Sequence, residues 1–123
     1  MLSLTSSTKI YVYTSVTDMR KGVHGLSGIV RDEFADDPTN GNLFVFVNRR
    51  RDRMKILHFD SGGFWLYYRL LEAGTFEALK RPDQSCYLII DGTQLAMLLS
   101  GVSLVASHRR RKRYFHNEPE QAA

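Results

Sequence analysis

Residues 48–55 read Asn48-Arg49-Arg50-Arg51-Asp52-Arg53-Met54-Lys55 and set five cations against one acid, a local charge of +4. A second block, Arg109-Arg110-Arg111-Lys112-Arg113, adds +5 without interruption. The whole chain carries +4, so everything outside these two blocks sums to −5. Positive charge gathered in this way is the electrostatic footprint of a polyanion partner. It also suits a solvated face that only keeps the protein in solution. Arginine is the sharper tool of the two basic residues, because its planar fork makes paired contacts to phosphate or to guanine edges. Arg49, Arg50, Arg51, Arg53 and Lys55 are therefore the first candidates for phosphate contacts, with Asn48 beside them and Asp52 placed to orient its neighbours.

Other residues offer weaker chemistry. Asp18-Met19-Arg20-Lys21-Gly22 puts two cations in the expected first turn of a helix, where the helix dipole prefers anions. A bound phosphate there would relieve the conflict; plain surface exposure would also be tolerated. Arg20 and Lys21 thus form a candidate second patch. Arg69 is a further cation, in an aromatic strand with Trp65, Tyr67 and Tyr68. Such aromatics can stack on unpaired bases, but in a central strand they belong to the core. Asp18, Asp37, Asp52, Asp60 and Asp91 lie near turns or helix starts, where aspartate is structurally favoured. No pair of them has the spacing of a nuclease site. His24, His58, His108 and His116 make no metal-ligand spacing with Cys86. No catalytic residue, metal or cofactor is expected. The single cysteine excludes an internal disulfide and fits a reducing cytoplasm.

The elements that must position these groups follow from periodicity. Residues 9–14 alternate as a first strand. Thr17 or Asp18 offers an N-cap for a helix over residues 19–34, with Met19, Val23, Leu26, Ile29, Val30 and Phe34 on one apolar face. Gly22, Gly25 and Gly28 weaken that helix and suggest close packing on one side. Residues 36–41 are a turn cluster. Three strands follow at 43–47, 54–59 and 64–71, joined by the basic turn 48–52 and by a tight turn at 60–63. Short connections favour an antiparallel meander. Residues 72–84 are turn-rich, with Phe76 and Leu79 as anchors. A last strand covers 86–90, and Asp91-Gly92-Thr93-Gln94 has the spacing of a capping box. It opens a helix with Leu95, Leu98, Leu99 and Val102 buried, and Gly101 ends it. The expected fold is α+β, an antiparallel meander packed with two main helices in a single domain. Residues 1–8 are expected to be a flexible start, 9–105 the folded domain, and 106–123 a basic tail without order.

Several motifs occur in a fixed order: Asp18-Met19-Arg20-Lys21-Gly22; Asp37-Pro38 with Gly41; Leu43-Phe44-Val45-Phe46; Asn48-Arg49-Arg50-Arg51-Asp52-Arg53; Lys55-Ile56-Leu57. Gly63-Phe64-Trp65-Leu66-Tyr67-Tyr68 and Leu71-Glu72 with Gly74 and Phe76 continue the series. Over residues 10–102 the chain resembles the TnpB-type accessory protein of the insertion-sequence-sixty-six family, the product of its second open reading frame. The family carries a denser basic stretch after the third of these strands; here those positions are Leu70, Ala73 and Thr75, with Arg69 kept. The resemblance implies a non-catalytic partner in bacterial DNA transposition, beside a separate catalytic transposase. The partners expected are DNA, at element ends or within a transposase–DNA complex, and element-encoded proteins; no membrane is expected. Two alternatives stay open: an adaptor that binds the transposase without touching DNA, and a small metal-dependent nuclease.

Overall fold

The computed structural model describes residues 7–79 and 85–101 of the 123. Expectations for residues 1–6, for 80–84, for Val102 and for the basic tail with Arg109, Arg110, Arg111, Lys112 and Arg113 fall outside them.

The elements run β1 (Ile10–Val16), α1 (Val23–Glu33), β2 (Leu43–Val47), β3 (Arg53–Asp60), β4 (Gly63–Leu70), β5 (Tyr87–Ile90) and α2 (Gly92–Leu99). They form an α+β fold around one five-stranded sheet of order β4-β3-β2-β1-β5. The strands β2, β3 and β4 are the expected antiparallel meander. The sheet as a whole is mixed, not antiparallel: β1 and β2 run parallel, Ile10 opposite Leu43 and Val12 opposite Val45. The reason is the intervening helix. A chain that leaves β1, crosses one face of the sheet through α1 and re-enters beside β1 must return in the same direction. The last strand then adds antiparallel to the free side of β1, Ile10 opposite Ile90 and Tyr13 opposite Tyr87.

β2 lies at the centre, and its run Leu-Phe-Val-Phe is buried at every position. A strand covered on both faces has no need to alternate. One face packs Tyr11, Phe44, Phe46 and Leu57 against Leu26, Val30 and Phe34 around α1. The rings of Tyr11 and Phe44 stack at 5.3 Å. The other face packs Ile10, Val12, Leu43, Val45, Met54 and Ile56 under Leu71, Phe76, Leu95 and Leu98. Phe76 is an anchor as expected, fully buried, and Leu79 packs against the same cluster. The capping box of α2 forms in full: Asp91 accepts from the Gln94 amide at 2.8 Å, and Gln94 accepts from the Asp91 amide at 2.9 Å. Gly101 follows the C-cap with φ +80°, a left-handed conformation that suits glycine.

Three local expectations are corrected. The first helix begins at Val23, with Gly22 as N-cap and no side-chain cap. Arg20 and Lys21 therefore precede it, and the supposed clash of two cations with the helix dipole does not arise. Gly25 and Gly28 do not mark close packing. A Cβ at Gly28 would meet nothing within 4 Å, and one at Gly25 would meet only the Lys21 side chain, at 3.1 Å. They line an open groove beside Asp32 and Glu33. Finally, β4 is an edge strand. Trp65 is 45% exposed and Tyr68 is 53% exposed, because an edge strand lacks the neighbour that would cover them. Tyr67 remains half-buried against the α2-side core.

Candidate nucleic-acid interface

The parallel pairing of β1 and β2 brings their carboxyl ends together. Val16 lies opposite Val47, and the Thr17 amide donates to the Val47 carbonyl at 3.0 Å. Residues 16–20 are thereby laid beside the basic turn 48–53. In open sheets with parallel strands, the crevice outside the carboxyl ends is the usual place for a ligand. Here it is a cleft of about 740 Å³ lined by Val16, Met19 and Tyr68, by Thr17 and Asn48, and by Asp18, Arg20, Arg49, Arg50 and Arg53. Four arginines against one aspartate give its wall a net charge of +3.

The turn is built by Asn48. Its Oδ1 accepts from the amides of Asp52 at 3.1 Å and Arg53 at 3.0 Å, and its Nδ2 donates to the Asp52 carboxylate at 2.8 Å. The Arg51 amide donates to the Asn48 carbonyl at 3.1 Å, closing a turn with Arg49 and Arg50 in the middle. Asp52, expected to orient the arginines, is instead held by Asn48. That hydrogen bond, helped by nearby Arg50 and Arg53, keeps its carboxyl below the ordinary carboxylate range. The tip is also braced from outside. Leu71 donates to the Asp52 carbonyl at 2.8 Å and Phe76 to the Arg51 carbonyl at 2.7 Å. The finger is thus a rigid corner rather than a free hairpin end.

Its arginines are exposed, and among the described residues Arg49, Arg50, Arg51 and Arg53 make no ion pair. Arg49, Arg50 and Arg53 share the cleft, whereas Arg51 lines a smaller cavity on the other side, with Glu77 and Leu79. Arg51 holds φ at 56°, in the left-handed region that arginine rarely adopts.

The remaining candidates divide. Arg20 joins the cleft but is paired: its Nη2 and Nε reach both oxygens of Asp18, at 2.7 and 3.1 Å. That pairing holds the Asp18 carboxyl down to about 2. Lys55 is committed elsewhere. Its ammonium donates to the carbonyls of Met19 at 2.7 Å and Lys21 at 2.8 Å, and lies 5.6 Å from the centre of the Tyr68 ring. It ties the 16–20 segment to the sheet. Lys21 lines the glycine groove beside α1 and not the arginine cleft. Arg69 turns to the opposite face of the sheet, where its Nε donates to the Leu99 carbonyl at 2.6 Å and caps the end of α2. Sequence reasoning missed Thr17 and Val16 as parts of the site. Neither carries a recognisable motif, and only the parallel register reveals them. No group of three His, Cys, Asp or Glu that could hold a metal ion occurs among the described residues. No helix among them is long and apolar enough to cross a membrane.

Fold and site together define a small α+β protein with a cationic cleft at the carboxyl ends of the parallel pair β1 and β2. The chain belongs to the family described as IS66 Orf2 like protein, whose sequence model matches residues 8–109. It is similar to two uncharacterised proteins of Sinorhizobium fredii (strain NBRC 101917 / NGR234). The protein y4jC is 28% identical over 110 residues, covering 89% of this chain and 92% of the relative. The protein y4hO is 31% identical over 102 residues, covering 83% and 87%. No solved structure matches.

Proposed function

We propose that this chain is a non-catalytic accessory protein of transposition that binds DNA, at element ends or within a transposase–DNA complex. The contacts run through Arg49, Arg50 and Arg53, with Arg20 at the edge of the same cleft. The observation that carries this reading is the set of exposed guanidinium groups of Arg49, Arg50 and Arg53, without an ion pair among the described residues, on a braced corner and converging on one concave surface. A rigid corner loses little conformational freedom on binding, so more of the phosphate attraction survives as affinity. Lys55 serves this reading as a positioning residue, and Arg69 lies outside it.

The test is a salt series of fluorescence anisotropy with labelled element-end DNA and random DNA. Wild-type protein should show a steep log–log salt slope, and changing Arg49, Arg50 and Arg53 together to alanine should flatten it by roughly 0.9 for each phosphate no longer neutralised. An unchanged slope and affinity would remove DNA binding from the finger. If the protein instead forms a salt-sensitive complex with the transposase in the absence of DNA, and none with DNA, the finger is a protein-docking element.

A further inference from the structure

The shape and lining of the cleft say more than its charge. A duplex backbone is a convex ridge of phosphates, and a convex or flat row of cations suffices to hold it. Here the arginines stand around a concavity of about 740 Å³ with an apolar part made by Val16, Met19 and Tyr68. Val16 is 49% exposed and Tyr68 is 53% exposed, so this apolar part faces solvent. The Lys55 ammonium lies 5.6 Å from the Tyr68 ring centre, a cation–π contact on one side of the ring. Thr17, which borders both this cleft and the glycine groove beside α1, is only 2% exposed, yet its hydroxyl has no hydrogen-bond partner among the described residues. A buried hydroxyl without a partner is costly, and a ligand that supplied one would relieve the cost.

Cations for a backbone, an exposed ring for a planar base and an unsatisfied hydroxyl for a polar edge together form the pattern of single-strand recognition. Resting on the reading of this cleft as a nucleic-acid site, we propose that it takes an unpaired strand, a base seated against Tyr68 while its flanking phosphates meet Arg49, Arg50 and Arg53. Thr17 then bonds the base edge or the sugar–phosphate beside it. Such a site would prefer DNA with frayed or single-stranded ends over a closed duplex.

The experiment compares a labelled single strand of about 12 nucleotides with its own duplex, using the full-length protein at one salt concentration. The single strand should bind more tightly. Tyr68→Leu, which keeps apolar bulk and removes the ring, should weaken it by about tenfold while duplex affinity moves by less than about twofold. Tyr68→Phe should restore binding, and Thr17→Val should lower single-strand affinity without lowering the melting temperature. An iodouracil-substituted strand, irradiated on the wild-type protein, should cross-link to Tyr68 or to residues 16–20, a readout that needs no variant to fold. Equal or tighter duplex binding, with Tyr68→Leu inert and cross-links elsewhere, overturns the single-strand proposal and leaves DNA binding by the finger intact. Failure of both strands to bind, with the arginine substitutions inert, removes the underlying reading as well.

Discussion

Lys55 is the residue for which sequence and structure part most sharply, and Lys55→Met tests the difference. From the sequence it is one more cation of a basic block. In the fold its ammonium makes two hydrogen bonds, at 2.7 and 2.8 Å, to carbonyls of the segment that carries Arg20. Methionine keeps the packing of the stem and removes both bonds. Hydrogen bonds to a charged group contribute about 1.5–3 kcal/mol each. The side chain is only half-buried, and the freed carbonyls can turn to water, so a total loss of about 2 kcal/mol is expected. For a chain of this size that lowers the melting temperature by roughly 8 °C. In urea the midpoint should fall by about 1 M at unchanged slope. Affinity for DNA should drop moderately, because the Arg20 segment loosens, but the salt slope should stay the same. Urea unfolding and salt-dependent anisotropy on one preparation decide the matter. Unaltered stability with a salt slope reduced by about 0.9 would mean that the ammonium reaches a phosphate and that its role as a tie is wrong.

Arg51→Gly should stabilise the fold. An L-residue in the left-handed region costs roughly 1–2 kcal/mol, and glycine returns about 0.4–1 kcal/mol of that through its freer unfolded chain. The net gain of about 0.5–1 kcal/mol is read from the urea midpoint, and affinity should fall less than for Arg50→Ala because Arg51 faces the other cavity. Asn48→Ala removes three hydrogen bonds that shape the finger and should cost about 2 kcal/mol by calorimetry, with weaker DNA binding although no charge is lost. Asp18 has a carboxyl depressed from 3.8 to about 2, so its pairing with Arg20 stabilises the folded state above the unfolded value and is lost as pH falls through about 2. An NMR titration of its carboxyl carbon should show no step between about pH 3.5 and 8, and a midpoint near 4 would break the pair.

Much of the fold was legible because its signals are local. The apolar run of β2, the turns at 48–52 and 60–63, and the capping box at Asp91 and Gln94 each depend on residues a few positions apart. What escaped was long-range. Nothing within residues 10–16 states that their neighbour is residues 43–47 running parallel, since both faces of that pairing are apolar in either direction. The same gap hid the cleft, whose two walls are some thirty residues apart in the chain. Trp65 and Tyr68 were expected inside because aromatics favour central strands, but position in a sheet is a property of topology and not of composition. The place of the finger arginines on an exposed turn was legible because charge and turn chemistry coincide there. The part played by Lys55 was not, because a lysine that anchors a loop and one that meets a phosphate look alike until their surroundings are known.

The seating of β5 has a consequence for how the molecule comes into being. β1 leaves one whole flank open until residues 87–90 arrive, more than seventy positions after it has been made. A growing chain can complete the four strands β1 to β4, together with the helix that crosses them, before that flank is filled. For that interval Ile10, Tyr11, Val12 and Tyr13 offer an unpaired ribbon edge to any extended segment nearby. The Thr14 amide and hydroxyl, which later both bond the Cys86 carbonyl at 2.9 and 2.8 Å, are the latch that shuts it. A gene fragment ending after β4 should therefore yield a product that recruits strands from its neighbours, and expression trials that place a boundary there will harvest aggregate.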